Sequence, residues 1–258
     1  MFEFITKSRE EMLEEKRNLT KKTLSRAPVG LGMVYNNGIL FMSENQLLGE
    51  RMYNTDPVLE TIGYIGSGSA REVQKLHRLI TNVADSAALE YGRKRISIPS
   101  RSVTARFIGE TYIVPEFDRR FRGELGATNF EISLILGDVH NGEFYTIFFD
   151  GSPESKRDFA SVGADADAGQ PNRVEQYLRD GRWNQGLSLE DALALGTKAL
   201  AFGTGDRIRD GYIEAAVLDR TIAGEDKWAP LSPARGSCYA RSPVDVGRAR
   251  EIIRSALD

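Results

Sequence analysis

The first regular pattern of apolar residues is a pair of short runs separated by a polar turn. Residues 29–35 and 39–42 are almost wholly apolar, and Asn36, Asn37 and Gly38 lie between them. Asparagine and glycine accept the positive φ that a tight turn requires, so an Asn-Gly step between apolar runs favours two antiparallel strands. The pattern therefore predicts a β-hairpin at the start of the globular part.

Further along the chain, the apolar period changes several times between that of a strand and that of a helix. The predicted strands are residues 58–65, 130–136, 144–149 and 212–218. A second Asn-Gly turn, at Asn141 and Gly142, predicts that the strands over 130–136 and 144–149 form another antiparallel hairpin. The predicted helices are residues 69–91, 100–114, 173–179 and 188–202. The second of these helices is predicted to start after Pro99 and to stop before Pro115. Paired strands interrupted by paired helices indicate an α+β sandwich with helices outside two packed sheets.

A charged helix is predicted ahead of the first hairpin, from about Ser8 to Arg26. Ser8 and Glu11 form a capping box, in which each side chain satisfies a backbone N–H of the first turn. Glutamates fill the first half and lysines and arginines the second, so the charges oppose the helix dipole. A solvated helix packed on its own domain is the simplest interpretation. The apolar residues are predicted to form one narrow stripe: Met12, Leu13, Leu19 and Leu24.

The end of the chain is predicted to be a tail followed by a helix. Residues 223–243 contain proline and glycine, and a last helix is expected from Ser242 and Pro243. We expect its apolar face to dock on its own domain, with a partner surface as the alternative. The expected organisation is a leader over 1–27, a domain over 28–222 and a tail over 223–258. The apolar face consists of Val246, Ala249, Ile252, Ile253 and Leu257.

The composition limits the class of protein. The chain has 258 residues, of which 41% are hydrophobic and 28% charged, as in ordinary globular proteins. No apolar run approaches the roughly 20 residues of a membrane helix. A single cysteine, Cys238, excludes an internal disulfide framework and favours a reducing compartment, so we expect the cytoplasm. A net charge of −3, with no basic block interleaved with aromatic residues, gives little support for nucleic-acid binding.

The sequence contains no complete cofactor or metal motif. The loop over 66–71 follows a strand and opens a helix, but Arg71 stands where a dinucleotide-binding loop needs its third glycine. The two histidines, His77 and His140, do not have the spacing of zinc ligands. The acidic pair in 165–167 lacks the glycine and glutamate of a calcium loop. We therefore expect no cofactor and no metal.

The residues before the first strand exclude one kind of catalysis. Folds with an N-terminal nucleophile place Thr, Ser or Cys at the start of such a strand and use the free α-amine as base. Here Ala27 and Pro28 occupy these positions, and proline has neither a nucleophilic side chain nor a free amine within the chain. Ser25 comes three residues too early, and nothing marks a processing site beside it.

The order of the elements and several segments resemble the proteasome α-type subunits, in particular the bacterial, actinobacterial-like branch. The similarity runs from Phe4 to about Asp219, with nearly gap-free spacing between Tyr35 and Gly66. The resemblance implies the Ntn-hydrolase fold, a four-layer αββα sandwich with two antiparallel sheets between helical layers. The segments that carry it are FITKS (4–8) with the charged helix, YNNGILFMSEN (35–45), the strand ending at Gly66, FFDG (148–151) and FASVG (159–163).

The resemblance also implies that the chain cleaves no peptide itself. The β-type relatives use an N-terminal threonine, an acid after the second strand and a lysine further on, whereas α-type subunits keep the fold and the leader without this chemistry. The corresponding positions here lie near Pro28, Glu44 and Met52, and two of the three are incompatible with the reaction. We therefore expect a non-catalytic subunit of a threonine-type endopeptidase complex, with Glu44 as a surface or structural carboxylate.

Family members of this type form heptameric rings that cap catalytic β rings. The residues before their first helix converge on an axial pore, so Phe2, Phe4 and Ile5 are the expected gate. The stripe on the charged helix, from Met12 to Leu24, is the expected ring-assembly surface. The implied partners are a homo-heptamer, a catalytic β subunit and unfolded protein substrates, with no nucleic acid and no membrane.

The resemblance implies a further site between neighbouring α subunits, which receives the C-terminal tail of an ATPase activator. In the family, a lysine pairs with the tail carboxylate and a glycine lets the backbone approach. Gly66 matches the glycine, Met52 stands in place of the lysine, and Arg51 lies beside it. A carboxylate in a partly buried pocket needs a cation or N–H donors. Docking of a ring ATPase or other activator by the usual route therefore depends on whether Arg51 serves here, through a shift of the strand start by one residue, or points into solvent.

Two other classes of function stay open on the sequence alone. One is a catalytically active hydrolase of the same fold, either self-processed or using an internal nucleophile. The other is a stand-alone oligomeric binding protein whose outer helices serve another partner.

Overall fold

A computed structural model describes residues 8–45, 55–93, 103–123, 129–163, 172–180, 182–205, 208, 212–224, 226–231 and 245–257. In this part of the chain, two antiparallel five-stranded sheets lie between two layers of helices. The predicted α+β sandwich with four layers is therefore confirmed.

Ten strands form the two sheets of the described chain. The first sheet has the spatial order β10-β9-β2-β1-β8 and the second has the order β3-β4-β5-β6-β7. Both predicted Asn-Gly hairpins are confirmed, since residue 35 pairs with residue 38 and residue 138 with residue 143. In chain order the strands are β1 (Gly30–Tyr35), β2 (Gly38–Glu44), β3 (Thr55–Leu59), β4 (Ile62–Gly68), β5 (Ile132–Asp138), β6 (Glu143–Ile147), β7 (Pro153–Lys156), β8 (Phe159–Val162), β9 (Ile213–Asp219) and β10 (Trp228–Pro230).

The helices form the two outer layers and a leader. The helices are α1 (Arg9–Leu24), α2 (Ala70–Arg93), α3 (Ala105–Ile108), a π-helical turn (Gly109–Ile113), α4 (Val114–Phe121), α5 (Arg173–Arg179), α6 (Leu189–Thr204) and α7 (Val246–Leu257). Side chains of α2, α3 and α4 pack on the second sheet, and those of α5, α6 and α7 pack on the first. No helix of the described chain has both the length and the hydrophobicity that crossing a bilayer requires.

Each sheet is covered on both faces, so its central strands are apolar at nearly every position. In β2, Leu40 and Met42 face the layer of α5, α6 and α7, whereas Ile39 and Phe41 face the other sheet. Successive side chains of a strand point to opposite faces, and here both faces are buried. This double burial explains why these strands appear in the sequence as unbroken apolar runs.

The ring of Phe41 lies where the two sheets pack against each other. Gly63 in β4 and Gly137 in β5 lie against this ring, and a Cβ added at either glycine would lie 2.7 Å from a ring carbon. The ring of Trp228 packs beside it, with 5.6 Å between ring centroids. Glycine at these two positions of the second sheet therefore makes room for one large aromatic side chain of the first.

The prediction of a single strand over 58–65 is wrong. The structure has a hairpin there, in which Thr55–Leu59 pairs with Ile62–Gly68 around a turn at Glu60 and Thr61. The sequence prediction missed β3 because it contains Pro57, and proline has no N–H to donate to the hydrogen bonds between strands. It is tolerated in β3 because β3 lies at the edge of the sheet, and the register shifts between Pro57 and Leu59.

The predicted helix over 100–114 is also wrong in its bounds. Within the described residues it begins at Ala105, with Thr104 as its N-cap, and it continues through Pro115 to Phe121. A π-helical turn precedes the proline, and the Val114 N–H donates to the Gly109 carbonyl. Pro115 occupies the first turn of α4. The N–H groups of a first turn have no partner within the helix, so the missing N–H of proline breaks no hydrogen bond there.

Three short strands were not predicted, and the start of the last helix was predicted too early. The strands β7, β8 and β10 are each three or four residues long, too short for a clear alternation of polar and apolar positions. The last helix begins at Val246, not at Ser242, because the Asp245 side chain accepts hydrogen bonds from the Gly247 and Arg248 N–H groups. Ala249 and Ile253 are buried, so this helix docks on its own domain as expected.

We predict that Phe41→Ala lowers the free energy of unfolding by about 3–5 kcal/mol, because the cavity left between the sheets cannot collapse. Phe202→Ala makes the same chemical change at a side chain that is 42% exposed, and we expect it to cost less than about 1 kcal/mol. Urea denaturation of both variants measures the difference. Equal losses would contradict this account of the core.

Candidate functional site

The segment that leads into β1 is packed against the second sheet. The Ala27 N–H donates to the Leu24 carbonyl at 2.9 Å, and the Ser67 hydroxyl donates to the Pro28 carbonyl at 2.6 Å. Gly163, with φ of +86°, lies so close that an added Cβ would collide with the Pro28 carbonyl and the Ser67 hydroxyl. Pro28, near the expected position of a nucleophile, is thus held by its carbonyl and offers no reactive atom.

A buried carboxylate lies near the ends of β2 and β9, and sequence reasoning missed it. Glu214 is 1% exposed. One of its oxygens accepts hydrogen bonds from the Thr55 N–H at 2.9 Å and from the Thr55 hydroxyl at 2.5 Å, and the other accepts from the Asn45 side-chain amide at 2.8 Å. Glu214 therefore joins β9 to the end of β2 and to the start of β3. The available signal was a lone glutamate in the otherwise apolar strand over 213–218.

Glu44, the residue expected near the acid position, ends β2 and is half-buried. Its backbone N–H donates to the Val29 carbonyl at 3.0 Å, which ties the end of β2 to the start of β1. It pairs across the ladder with Ile213, one residue before the buried Glu214.

Gly66 is a buried residue of β4 and faces α2. A Cβ at this position would lie 2.3 Å from the Tyr64 hydroxyl and 2.8 Å from a methyl carbon of Val73. The Tyr64 hydroxyl in turn donates to the Val73 carbonyl at 3.3 Å. Glycine therefore lets the Tyr64 side chain close over the strand. The other expected pocket residues, Arg51 and Met52, lie outside the described residues, as do Phe2, Phe4 and Ile5 of the expected gate.

The leader helix α1 is packed against the C-terminal end of α4. Its predicted capping box is confirmed, with both the Ser8 and the Glu11 bonds present. Leu24 is buried against Phe121 and Phe149. The Lys16 ammonium donates to the Phe121 carbonyl at 2.6 Å and to the Arg120 carbonyl at 3.2 Å, and partial burial lowers the pKa of Lys16. Lys16 thus bonds to two carbonyls of the last turn of α4, where a cation is favoured by the helix dipole.

The apolar residues of α1 form two lines, not the single stripe that was predicted. Leu13 and Leu24 contact the domain, whereas Met12 and Leu19 are 53% and 65% exposed. At roughly 3.6 residues per turn, positions seven or eleven apart share a line, but positions 12 and 13 are about 100° apart. One line therefore attaches the helix to its domain, and the other faces outward.

The two histidines that the sequence singled out take part in local hydrogen bonds, His77 through its ring and His140 through its backbone. His77 contacts the Pro57 carbonyl at 2.8 Å, and Asp138 accepts a hydrogen bond from the His140 N–H at 2.9 Å. Burial raises the pKa of Asp138, and hydrogen bonds from His140 and Asn141 oppose that rise. Among the described residues, no three His, Cys, Asp or Glu side chains form a group that could hold a metal ion. The acidic pair in 165–167 lies outside them.

Comparison with known proteins identifies the relatives of this chain. No protein-family model matches it. The proteasome subunit alpha of Nocardioides sp. is 27% identical over 234 residues, which cover 88% of this chain and 85% of that protein. That of Kineococcus radiotolerans is 27% identical over 229 residues, covering 83% and 88%. The chain is a distant homologue of the actinobacterial proteasome α subunits.

Another proteasome subunit alpha, from Xylanimonas cellulosilytica, is 28% identical over 234 residues, which cover 88% of this chain and 86% of that protein. Coverage of this extent includes most of the two-sheet sandwich, not one element of it. The fold described above is accordingly consistent with a proteasome α subunit.

We predict that Glu214→Ala lowers the free energy of unfolding by about 2–4 kcal/mol, because the Thr55 and Asn45 donors lose a buried acceptor. Glu60→Ala removes an exposed carboxylate from the turn between β3 and β4, and we expect a change within about 0.5 kcal/mol. Thermal melting of the two variants provides the comparison. A Glu214 variant as stable as the Glu60 control would show that this carboxylate does not join the strands.

Proposed function

We propose that this chain is a non-catalytic α-ring subunit of a proteasome core particle. In this role it forms a heptameric ring, templates the catalytic β ring, and controls the access of unfolded polypeptides to the interior. It acts in the cytoplasm and takes part in protein degradation without performing the chemistry itself.

The observation that carries the proposal is that the chain before β1 is a helix packed on the domain, followed by a proline whose carbonyl is hydrogen-bonded. A helix of 16 residues precedes the strand and is packed on the domain through Lys16 and Leu24. Pro28 lies between this helix and β1, and its carbonyl accepts a hydrogen bond from the Ser67 hydroxyl. A hydrolase of the same fold needs a free nucleophilic residue at this point. The homology to proteasome α subunits agrees with this interpretation.

The outward line of α1 is our candidate for contact with a neighbouring subunit. Met12 and Leu19 are exposed, and burying them against a second copy removes apolar area from water. Leu13 and Leu24 already pack against the domain of the same copy. The expected ring-assembly surface is therefore reduced to Met12 and Leu19. A head-to-tail contact of this kind generates a closed ring when the rotation from each copy to the next, repeated, returns to the first copy.

We predict that Met12→Glu and Leu19→Glu each prevent ring formation, because the contact would then bury an unpaired carboxylate. Asn18→Glu is the matched control, since it adds the same charge at an exposed polar position of the same helix. Native mass spectrometry reports assembly, and circular dichroism melting reports folding, which we expect to change by less than about 0.5 kcal/mol. Rings that form equally well in all three variants would rule out this surface.

The gate is proposed for residues 1–7, where Phe2, Phe4 and Ile5 supply apolar side chains. Copies of these side chains that meet around an axis can exclude water and close a pore. Since Ser8 and Glu11 cap α1 by themselves, the helix retains its N-cap when the preceding residues are removed.

We expect deletion of residues 1–7 to raise peptide hydrolysis several-fold when the chain is co-expressed with its candidate β subunit. Replacing Phe2, Phe4 and Ile5 together by alanine keeps the length and tests whether apolar contact closes the pore. The measurement is the rate of fluorogenic peptide cleavage by particles of verified assembly. An assembled particle whose activity is unchanged by the deletion would count against the gate.

The activator pocket is proposed to contain Gly66 together with Arg51 and Met52. Gly66 is buried in β4, and the absence of a side chain there leaves room for Tyr64. In the absence of a lysine at position 52, Arg51 is the nearest cation in the sequence for an incoming carboxylate. A ring ATPase or other activator is the expected partner of this pocket.

A further inference from the structure

The central helix of the first helical layer, α6, has a basic and aromatic outer side. Its inner side is buried on the first sheet through Leu193 and Leu200. On the outer side, Lys198 and Phe202 are exposed and lie four residues apart, which places them next to each other on one face. Phe202 is one of the few large apolar side chains exposed in the described chain, at 42%.

Side chains of α5 and of the loop after it extend this surface in one direction. The rings of Phe202 and Tyr177 pack with 5.3 Å between their centroids. The Arg173 guanidinium lies 5.0 Å from the Phe202 ring, and the Arg182 guanidinium lies 4.0 Å from the Tyr177 ring. Stacking of this kind holds flexible side chains in one conformation, so less entropy is lost when a ligand binds.

A cleft between α6 and α7 extends the same surface in the other direction. Its volume is about 300 Å³, and Lys198 lies at its rim. The lining is mixed: Ala194, Ile252 and Ala256 are apolar, whereas Arg248, Glu251 and Ser255 are polar. Arg248 lies at the same rim and is fixed by Glu190 at 3.1 Å and by Glu251 at 3.5 Å. A volume of this size accepts an aliphatic or aromatic side chain beside the two cations.

We propose that this surface, formed by Arg173, Tyr177, Lys198, Phe202, Arg248 and Ile252, docks an acidic segment of a partner protein that carries aliphatic or aromatic side chains. The basic side chains attract the carboxylates of the partner. Phe202 and the cleft remove its apolar side chains from water. Arginine and aromatic residues are also the types that contribute most to protein interfaces.

The observations favour a peptide over a nucleic acid. Sequence-tolerant binding of single strands requires several exposed rings on which successive bases stack. Here Tyr177 is only half-exposed and lies under Arg182, which leaves Phe202 as the exposed ring of this surface. The apolar part of the cleft, formed by Ile252 and Ala256, is aliphatic and suits leucine better than a base. The surface is separate from the exposed line of α1 and from Gly66, so the proposal does not depend on ring assembly.

The test measures fluorescence anisotropy of a labelled peptide of Glu-Glu-Leu repeats with the full-length chain. We expect Lys198→Glu and Phe202→Ala each to weaken binding by about fivefold to tenfold. Lys22→Glu on α1 and Leu79→Ala on α2 make matched changes at exposed positions elsewhere, and we expect the wild-type affinity for both. Circular dichroism melting verifies that all four variants are folded.

Comparison probes identify the occupant. A peptide of Lys-Lys-Leu repeats and a single-stranded RNA should bind at least tenfold more weakly than the acidic peptide. The proposal is overturned if the wild type does not bind the acidic peptide, if both test variants bind it as well as the controls do, or if RNA binds equally well. It is also overturned if Phe202→Ala alters the oligomeric state of the chain without peptide, because the occupant would then be a second copy.

Discussion

The packing of Phe41 against Gly63 and Gly137 determines how the rest of the molecule is arranged. It brings the two sheets into direct contact, so each sheet has one face on its partner and the other under helices. No broad sheet face of the described chain is left for binding. Function must then lie on helices, on strand ends or in segments attached to them, as the exposed line of α1 and the outer side of α6 do.

The leader illustrates how one helix serves two purposes. Its inner line and Lys16 attach it to α4, and its outer line presents apolar side chains away from the domain. The same attachment brings the chain to Pro28 in a fixed conformation, with the Ser67 hydroxyl on its carbonyl. Anchoring of this kind suits a structural role for the start of β1, since a catalytic N-terminus must be free to react.

The sequence predicted elements that have strong local signals and failed where tertiary context decides. The Asn-Gly hairpins and the Ser8 capping box depend on neighbouring residues alone, and both were predicted correctly. Pro57 and Pro115 misled the prediction, because an edge strand tolerates Pro57 and the first turn of α4, after the π-helical turn, tolerates Pro115, and no local pattern reveals either context. Glu214 was missed since its partners, Asn45 and Thr55, are far from it in the chain and only the fold brings them together.

Native mass spectrometry of the full-length chain, alone and co-expressed with the candidate β subunit, tests the central claim most directly. The account predicts a ring of several copies in which every copy of this chain still carries its leader helix. A monomer under both conditions would contradict the account. So would a mature chain that has lost the leader and begins at a threonine, serine or cysteine.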